Sequence, residues 1–161
     1  MQMEALDAIE FSSGFDNPPH RDNPGLRQTA RSETRGRGQK ILVVDDSLAW
    51  LRLAREILTA SGYHVHACEY PPDALSLFQE NSQQFDLVIT DLQMPCLDGI
   101  ELAAELLKIN AALPVVLTSA AQIEMTSEKL QTLGIRDFLT KPWERERLFS
   151  ILEQVLAPTG S

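Results

Sequence analysis

Cysteine is nearly absent: Cys68 and Cys96 are the two in 161 residues, and they form no CxxC arrangement. That excludes a disulfide framework of the kind that staples small secreted domains, and it fits reduced thiols in a cytoplasm. Long apolar runs are missing as well. The longest stretch without charge, Ile109 to Ile123, is interrupted by Asn110, Pro114, Thr118, Ser119 and Gln122; it falls short of the roughly 18 apolar residues a membrane span needs. The start, Met1-Gln2-Met3-Glu4, lacks a basic region followed by an apolar core, so no secretory signal is read there and a cytoplasmic location is expected. Positive charge is scarce: 14 Lys+Arg face 23 Asp+Glu, a formal net charge of −9. Gripping nucleic acid requires Lys and Arg to neutralise phosphates, so direct nucleic-acid binding is not expected, and protein or metal partners are.

What is present reads as one globular domain with a tail. Hydrophobic residues make up 43% and charged residues 23%, ordinary usage for a chain with a real core. Residues 1–39 hold 4 of the 8 Gly and 3 of the 9 Pro, with no Val, Tyr or Trp, too little apolar surface to offset chain entropy. They are read as a flexible tail or linker. Six acidic residues and five Arg nearly balance there, so the remaining 17 acidic and nine basic groups give residues 40–161 a net −8. The acidity belongs to the domain, expected over 40–157 with a short tail at 158–161.

From Lys40 onward, strand and helix patterns alternate. Ile41-Leu42-Val43-Val44 is a wholly apolar, β-branched run, as befits a strand buried on both faces of a parallel sheet. Trp50, Leu53, Ala54, Ile57 and Leu58 follow as a helical stripe, ended by Ser61-Gly62. His64–Cys68, Leu87–Thr90, Val115–Ser119 and Phe138–Thr140 read as further strands. Helices are expected after Pro71, after Gly99 with Ile100, Ala103, Ala104 and Leu107 inward, over Glu124–Leu133, and through Leu148, Ile151, Leu152, Val155 and Leu156. Five such units in about 117 residues predict an α/β fold with an open, doubly wound parallel sheet and right-handed crossovers. Function in such sheets belongs at the carboxyl ends of the strands.

That rule picks out residues by itself. Strand one ends in Asp45-Asp46, strand three in Asp91, strand four in Thr118-Ser119, and strand five in Lys141. Crowded carboxylates repel and raise a pKa unless a cation joins them. A hard ion such as Mg²⁺ suits one to three carboxylates, with water, carbonyl and phosphate oxygens completing its shell. Lys141 offers a compact positive charge for a phosphoryl oxygen. An aspartate can accept a phosphoryl group as an acyl phosphate when a metal and a cation screen the approaching anion. Separately, Asp45 or Asp46 would pass for a helix cap, Asp91 for a loop residue and Lys141 for a surface charge; together at strand ends they point to a site.

Those motifs resemble the receiver domain of bacterial two-component response regulators: Ile41 to Ser47 with its Asp45-Asp46 pair, Asp91-Leu92-Gln93-Met94-Pro95 with Asp98-Gly99, Val115 to Ala120, and Lys141-Pro142. The resemblance implies a flavodoxin-like sheet of five strands in the order 2-1-3-4-5. It implies Asp91 as phosphoacceptor, Mg²⁺ held by Asp45, Asp46, Asp91 and the backbone carbonyl of Gln93, and Lys141 contacting the phosphoryl group. Phe138 takes the place of the aromatic switch, and Ser119, with Thr118 as the second choice, that of the switch hydroxyl. A cis peptide between Lys141 and Pro142 is also implied. Leu48, Ala49, Arg52 and Trp143 surround the phosphoacceptor and offer a docking surface for a kinase helix, core packing being the other reading of Trp143.

The implied function is a signalling module, not an enzyme, that takes a phosphoryl group from a histidine kinase or histidine phosphotransfer protein and switches a surface for an unknown downstream protein, with a homodimer open. The approach Arg35-Gly36-Arg37-Gly38-Gln39-Lys40 resembles the linker before the C-terminal receiver of hybrid histidine kinases, which keeps that context open. Two other classes are weighed. An aspartyl-phosphate phosphohydrolase of the haloacid-dehalogenase type places a second Asp two residues after the nucleophile, whereas Asp45 is followed by Ser47 at that spacing. A docking module with a vestigial acidic pocket would have no need of the whole set. His64, His66 and Cys68 share one strand face by their period of two, without a fourth metal ligand.

Overall fold

The computed structural model describes residues 35–158. Five strands and five helices alternate: β1 (Lys40–Val44), α1 (Leu48–Ala60), β2 (His64–Cys68), α2 (Pro71–Glu80), β3 (Leu87–Asp91), α3 (Gly99–Ile109), β4 (Val115–Ser119), α4 (Ser127–Thr132), β5 (Asp137–Thr140) and α5 (Arg145–Val155). The strands are parallel and lie in the order β2-β1-β3-β4-β5, the doubly wound, flavodoxin-like arrangement expected.

Side chains alternate across each strand, and two cores result. Ile41, Val43, Ile89, Val116 and Leu139 meet Leu51, Ala54 and Leu58 of α1 and Leu148, Phe149 and Leu152 of α5. Leu42, Val44, Val88 and Leu117 meet Phe78 of α2, Leu102, Ala103 and Leu106 of α3, and Leu130 of α4. The apolar strand runs thus serve both faces at once. Among the described residues no helix is long and apolar enough to cross a membrane.

Two helix faces are rotated from the predicted ones. In α1, Leu51 is buried and Leu53 is 42% exposed; in α3, Leu102 and Leu106 are buried and Ala104 faces outward. Each helix carries more apolar residues than one face can hold, so packing against the sheet selects among overlapping stripes. The fourth helix starts later than expected because Thr126 caps it, its Oγ1 accepting from the Lys129 N–H at 3.2 Å.

Residues 1–34 of the expected tail, and 159–161 of the short one, lie outside the described residues. Residues 35–39 lie against the turn from α1 into β2. The Gly36 N–H donates to the Ser61 carbonyl at 2.7 Å and the Gly38 N–H to that of Gly62 at 3.1 Å, while Gln39 accepts from His64. The approach is close enough that a Cβ on Gly36 would stand 2.6 Å from the Gly62 carbonyl carbon. Arg35 pairs with Glu153 of α5 at 3.3 Å and lies over the Phe149 ring.

Candidate functional site

The carboxyl ends of β1, β3 and β5 bring three acids and one cation together. Asp45 follows β1 and is 1% exposed; Asp91 ends β3 and is 6% exposed. Asp46 is exposed. Carboxylate oxygens of all three lie within 4.8 Å of one another, the one such grouping among the described residues. Lys141, just past β5, donates to Asp45 Oδ2 and stands 3.0 Å from Asp91 Oδ1. The Lys141–Pro142 peptide is cis.

The local sequence explains the placement. Asp45 Oδ1 accepts from the Ser47 N–H at 2.9 Å, while Ser47 Oγ caps α1 by accepting from the Trp50 N–H. Neither acid of the pair is therefore the helix cap, and both remain for the site. Below Asp91, Gly99 lets the start of α3 close on the strand end: a Cβ there would fall 2.2 Å from the Asp91 carbonyl oxygen. Asp98 caps α3 in a reciprocal box with Glu101. Gln93 lies in the exposed loop between them.

Burial pushes the Asp91 carboxyl above the usual carboxylate range; the hydrogen bond and charge of Lys141 oppose this, and the charges of Asp45 and Asp46 reinforce it. Three carboxylates around one ammonium leave an excess of negative charge, which a divalent cation would relieve.

The family model described as the response regulator receiver domain matches residues 41–153. The chain belongs to this family. Over 119 residues the receiver domain is 39% identical to two-component response regulator ORR24 of Oryza sativa subsp. indica and 37% identical to ARR12 of Arabidopsis thaliana, a match covering 74% of this chain but 19% and 20% of those proteins. It thus spans about a fifth of the curated relatives' length. It superposes on a receiver domain protein from Clostridium thermocellum with TM-score 0.68 and 27% identity, covering 73% of this chain and 94% of that one. For the chemotaxis protein CheY4 of Vibrio cholerae the values are 0.66 and 26%, covering 74% and 99%. The bacterial frame given to the resemblance is too narrow, since these curated relatives are plant proteins. A receiver domain is a signalling domain of two-component systems, not a conventional enzyme.

The remaining predicted residues sit around the receiver's acidic cluster in two ways. Thr118 and Ser119 are both buried, but their hydroxyls differ: Thr118 Oγ1 accepts from the Trp143 indole N–H at 2.9 Å, whereas Ser119 Oγ accepts from the Ala121 N–H at 3.1 Å. Phe138 is half-buried against the α2–α3–α4 core. Trp143 is buried, which favours its packing reading; Leu48, Ala49 and Arg52 are exposed. The residue that sequence reasoning missed is Trp50, read as part of a core stripe, whose ring lies 5.0 Å from Lys141 Nζ. Its place in the first turn after the acidic pair was the available signal.

Proposed function

We propose that this receiver domain accepts a phosphoryl group on Asp91 from a histidine kinase or histidine phosphotransfer protein, in a Mg²⁺-dependent reaction, and thereby switches a surface for a downstream protein. The observation that carries this is the buried Asp91 carboxylate between Lys141 at 3.0 Å and the Asp45–Asp46 pair. Asp45, Asp46, Asp91 and the Gln93 carbonyl would hold Mg²⁺, which supplies positive charge to screen the incoming phosphoryl group. An Asp91 oxygen bonds to phosphorus as the bond to the donor nitrogen breaks, the electron pair leaving with the imidazole. Lys141 steadies a phosphoryl oxygen. Ser119 is preferred as the switch hydroxyl. Both hydroxyls keep a proton to donate, but Thr118 Oγ1 is the acceptor of the buried Trp143 indole N–H, which would lose this acceptor if that hydroxyl turned to the phosphoryl oxygen, whereas Ser119 Oγ accepts from the Ala121 backbone N–H. Phe138 then moves inward, changing the α4–β5–α5 face. Residues 40–157 form the unit that does this, with 1–39 a linker or tail whose residues 35–39 rest on the domain, and 158–161 a short tail, in a cytoplasmic setting.

Intact-mass measurement tests it: with Mg²⁺ and acetyl phosphate the protein gains one phosphoryl group, and Asp91→Asn gains none. Labelling that persists in Asp91→Asn, or without any divalent metal, defeats the assignment.

A further inference from the structure

Among the described residues the Lys141 ammonium meets the Asp45 carboxylate, Asp91 Oδ1 and the ring of Trp50. The first two contacts change when the domain works. On the reading proposed above, on which this inference rests, Asp45 is drawn to a divalent cation and Asp91 becomes an acyl phosphate. Lysine carries a strongly hydrated head on a flexible four-carbon stem, so an ammonium released by its carboxylates swings into water unless another group keeps it. The indole face has no proton to exchange and no affinity for Mg²⁺. Its attraction for a cation is electrostatic and strengthens where water is excluded, and the Lys141 side chain is 12% exposed.

The ring itself is braced. Trp50 packs edge-on with Trp143, centroids 5.1 Å apart and planes at 89°, and Trp143 is fixed by its hydrogen bond to Thr118. Thr118 is the β4 residue in register with Asp91 on β3, so the brace ends on the neighbour of the phosphoacceptor. By contrast, Trp50 Nε1 is buried with no acceptor among the described residues. An unpaired buried donor is unfavourable, so hydrogen bonding does not account for a tryptophan at this position. Phenylalanine would fill the place without that penalty, but tryptophan binds a cation more strongly.

We propose that Trp50 is a positioning residue for phosphoryl transfer: its ring holds the Lys141 ammonium beside Asp91 while Asp45 is engaged with the metal.

NMR of the Lys141 ε-methylene protons in the full chain reads the contact directly. The indole ring current moves them upfield in the wild type, without and with Mg²⁺, and Trp50→Leu returns them to ordinary positions. With acetyl phosphate, Trp50→Leu labels Asp91 about ten- to thirtyfold more slowly, and Trp50→Phe falls between it and the wild type. If Trp50→Leu does not fold, Trp50→Phe decides: slower labelling with a smaller upfield shift supports the role, and a wild-type rate overturns it. Labelling of folded Trp50→Leu at the wild-type rate, equal slowing in both variants, or an upfield shift lost on adding Mg²⁺ each overturn the positioning role and leave the receiver chemistry standing. A wild type that takes no phosphoryl group defeats both.

Discussion

The two faces of the sheet are covered alike and finished differently. On the α1–α5 side, polar groups at the strand ends are paired across elements: Lys141 with Asp45 and Asp91, Trp143 with Thr118. On the α2–α3–α4 side stand half-buried Phe138 and a fourth helix of only six residues, and the alternation that puts Leu117 there sends Ser119 the same way. In this structure the strand-end polar side chains of the α1–α5 face are tied to one another. On the other face, the Ser119 hydroxyl takes a backbone N–H, that of Ala121, and the Phe138 ring is only half covered. The difference teaches that neighbouring residues of one strand, Thr118 and Ser119, can serve two differently finished faces.

The largest effects should be the same on both faces, because both cores are closed. Phe149→Ala and Phe78→Ala each remove a ring that is fully buried, and each should cost about 3–5 kcal/mol in urea unfolding. A marked inequality would show that one layer contributes little to the fold.

Next comes Thr118→Val, which strips the Trp143 N–H of its acceptor on the α1–α5 side. It should lower stability by about 1–3 kcal/mol while mass spectrometry still finds a labelled Asp91. Loss of the α4–β5–α5 response in this variant, with the response intact in Ser119→Ala, would transfer the switch role to Thr118.

The third effect depends on pH. The folded-state pKa of Asp91 is raised above its unfolded value by burial, so its ionisation opposes folding: its contribution is most favourable below the ordinary aspartate pKa and is lost as pH rises through the raised one. Metal-free Asp91→Asn should therefore unfold at higher temperature than the wild type near neutrality, and the gap should narrow on acidification. A gap that widens on acidification would reverse the sign. Ser119→Ala should disturb stability least, about 0.5–1.5 kcal/mol, and yet remove the phosphorylation-dependent NMR shifts around Phe138.

Strand positions were legible because strands buried on both faces read as continuous apolar runs, as in Ile41–Val44, and the charges beyond them mark the carboxyl edge. Asp45, Asp46, Asp91 and Lys141 come together as those strand ends predict. The rotation of α1 was not legible, since Leu51 and Leu53 are both apolar and tertiary packing chooses between them. Nor was the contact of Trp50 with Lys141, which depends on that rotation and on a helix and a strand end far apart in sequence. The docking of residues 35–39 escaped for another reason. It rests on backbone hydrogen bonds and a close glycine approach, which leave no hydrophobic period to read.

That docking fixes the route of the chain. Arg35 and Arg37 line one hollow together with Leu156, Ala157 and Pro158, so the described segment enters and leaves the domain at neighbouring points, at the amino-terminal edge of the sheet and away from Asp91. A module with adjacent entry and exit can be spliced into a longer polypeptide much as a loop is, without pushing its flanks apart. Tension along such a polypeptide would pass between Arg35 and the end of α5, leaving the acidic cluster at the opposite edge unloaded.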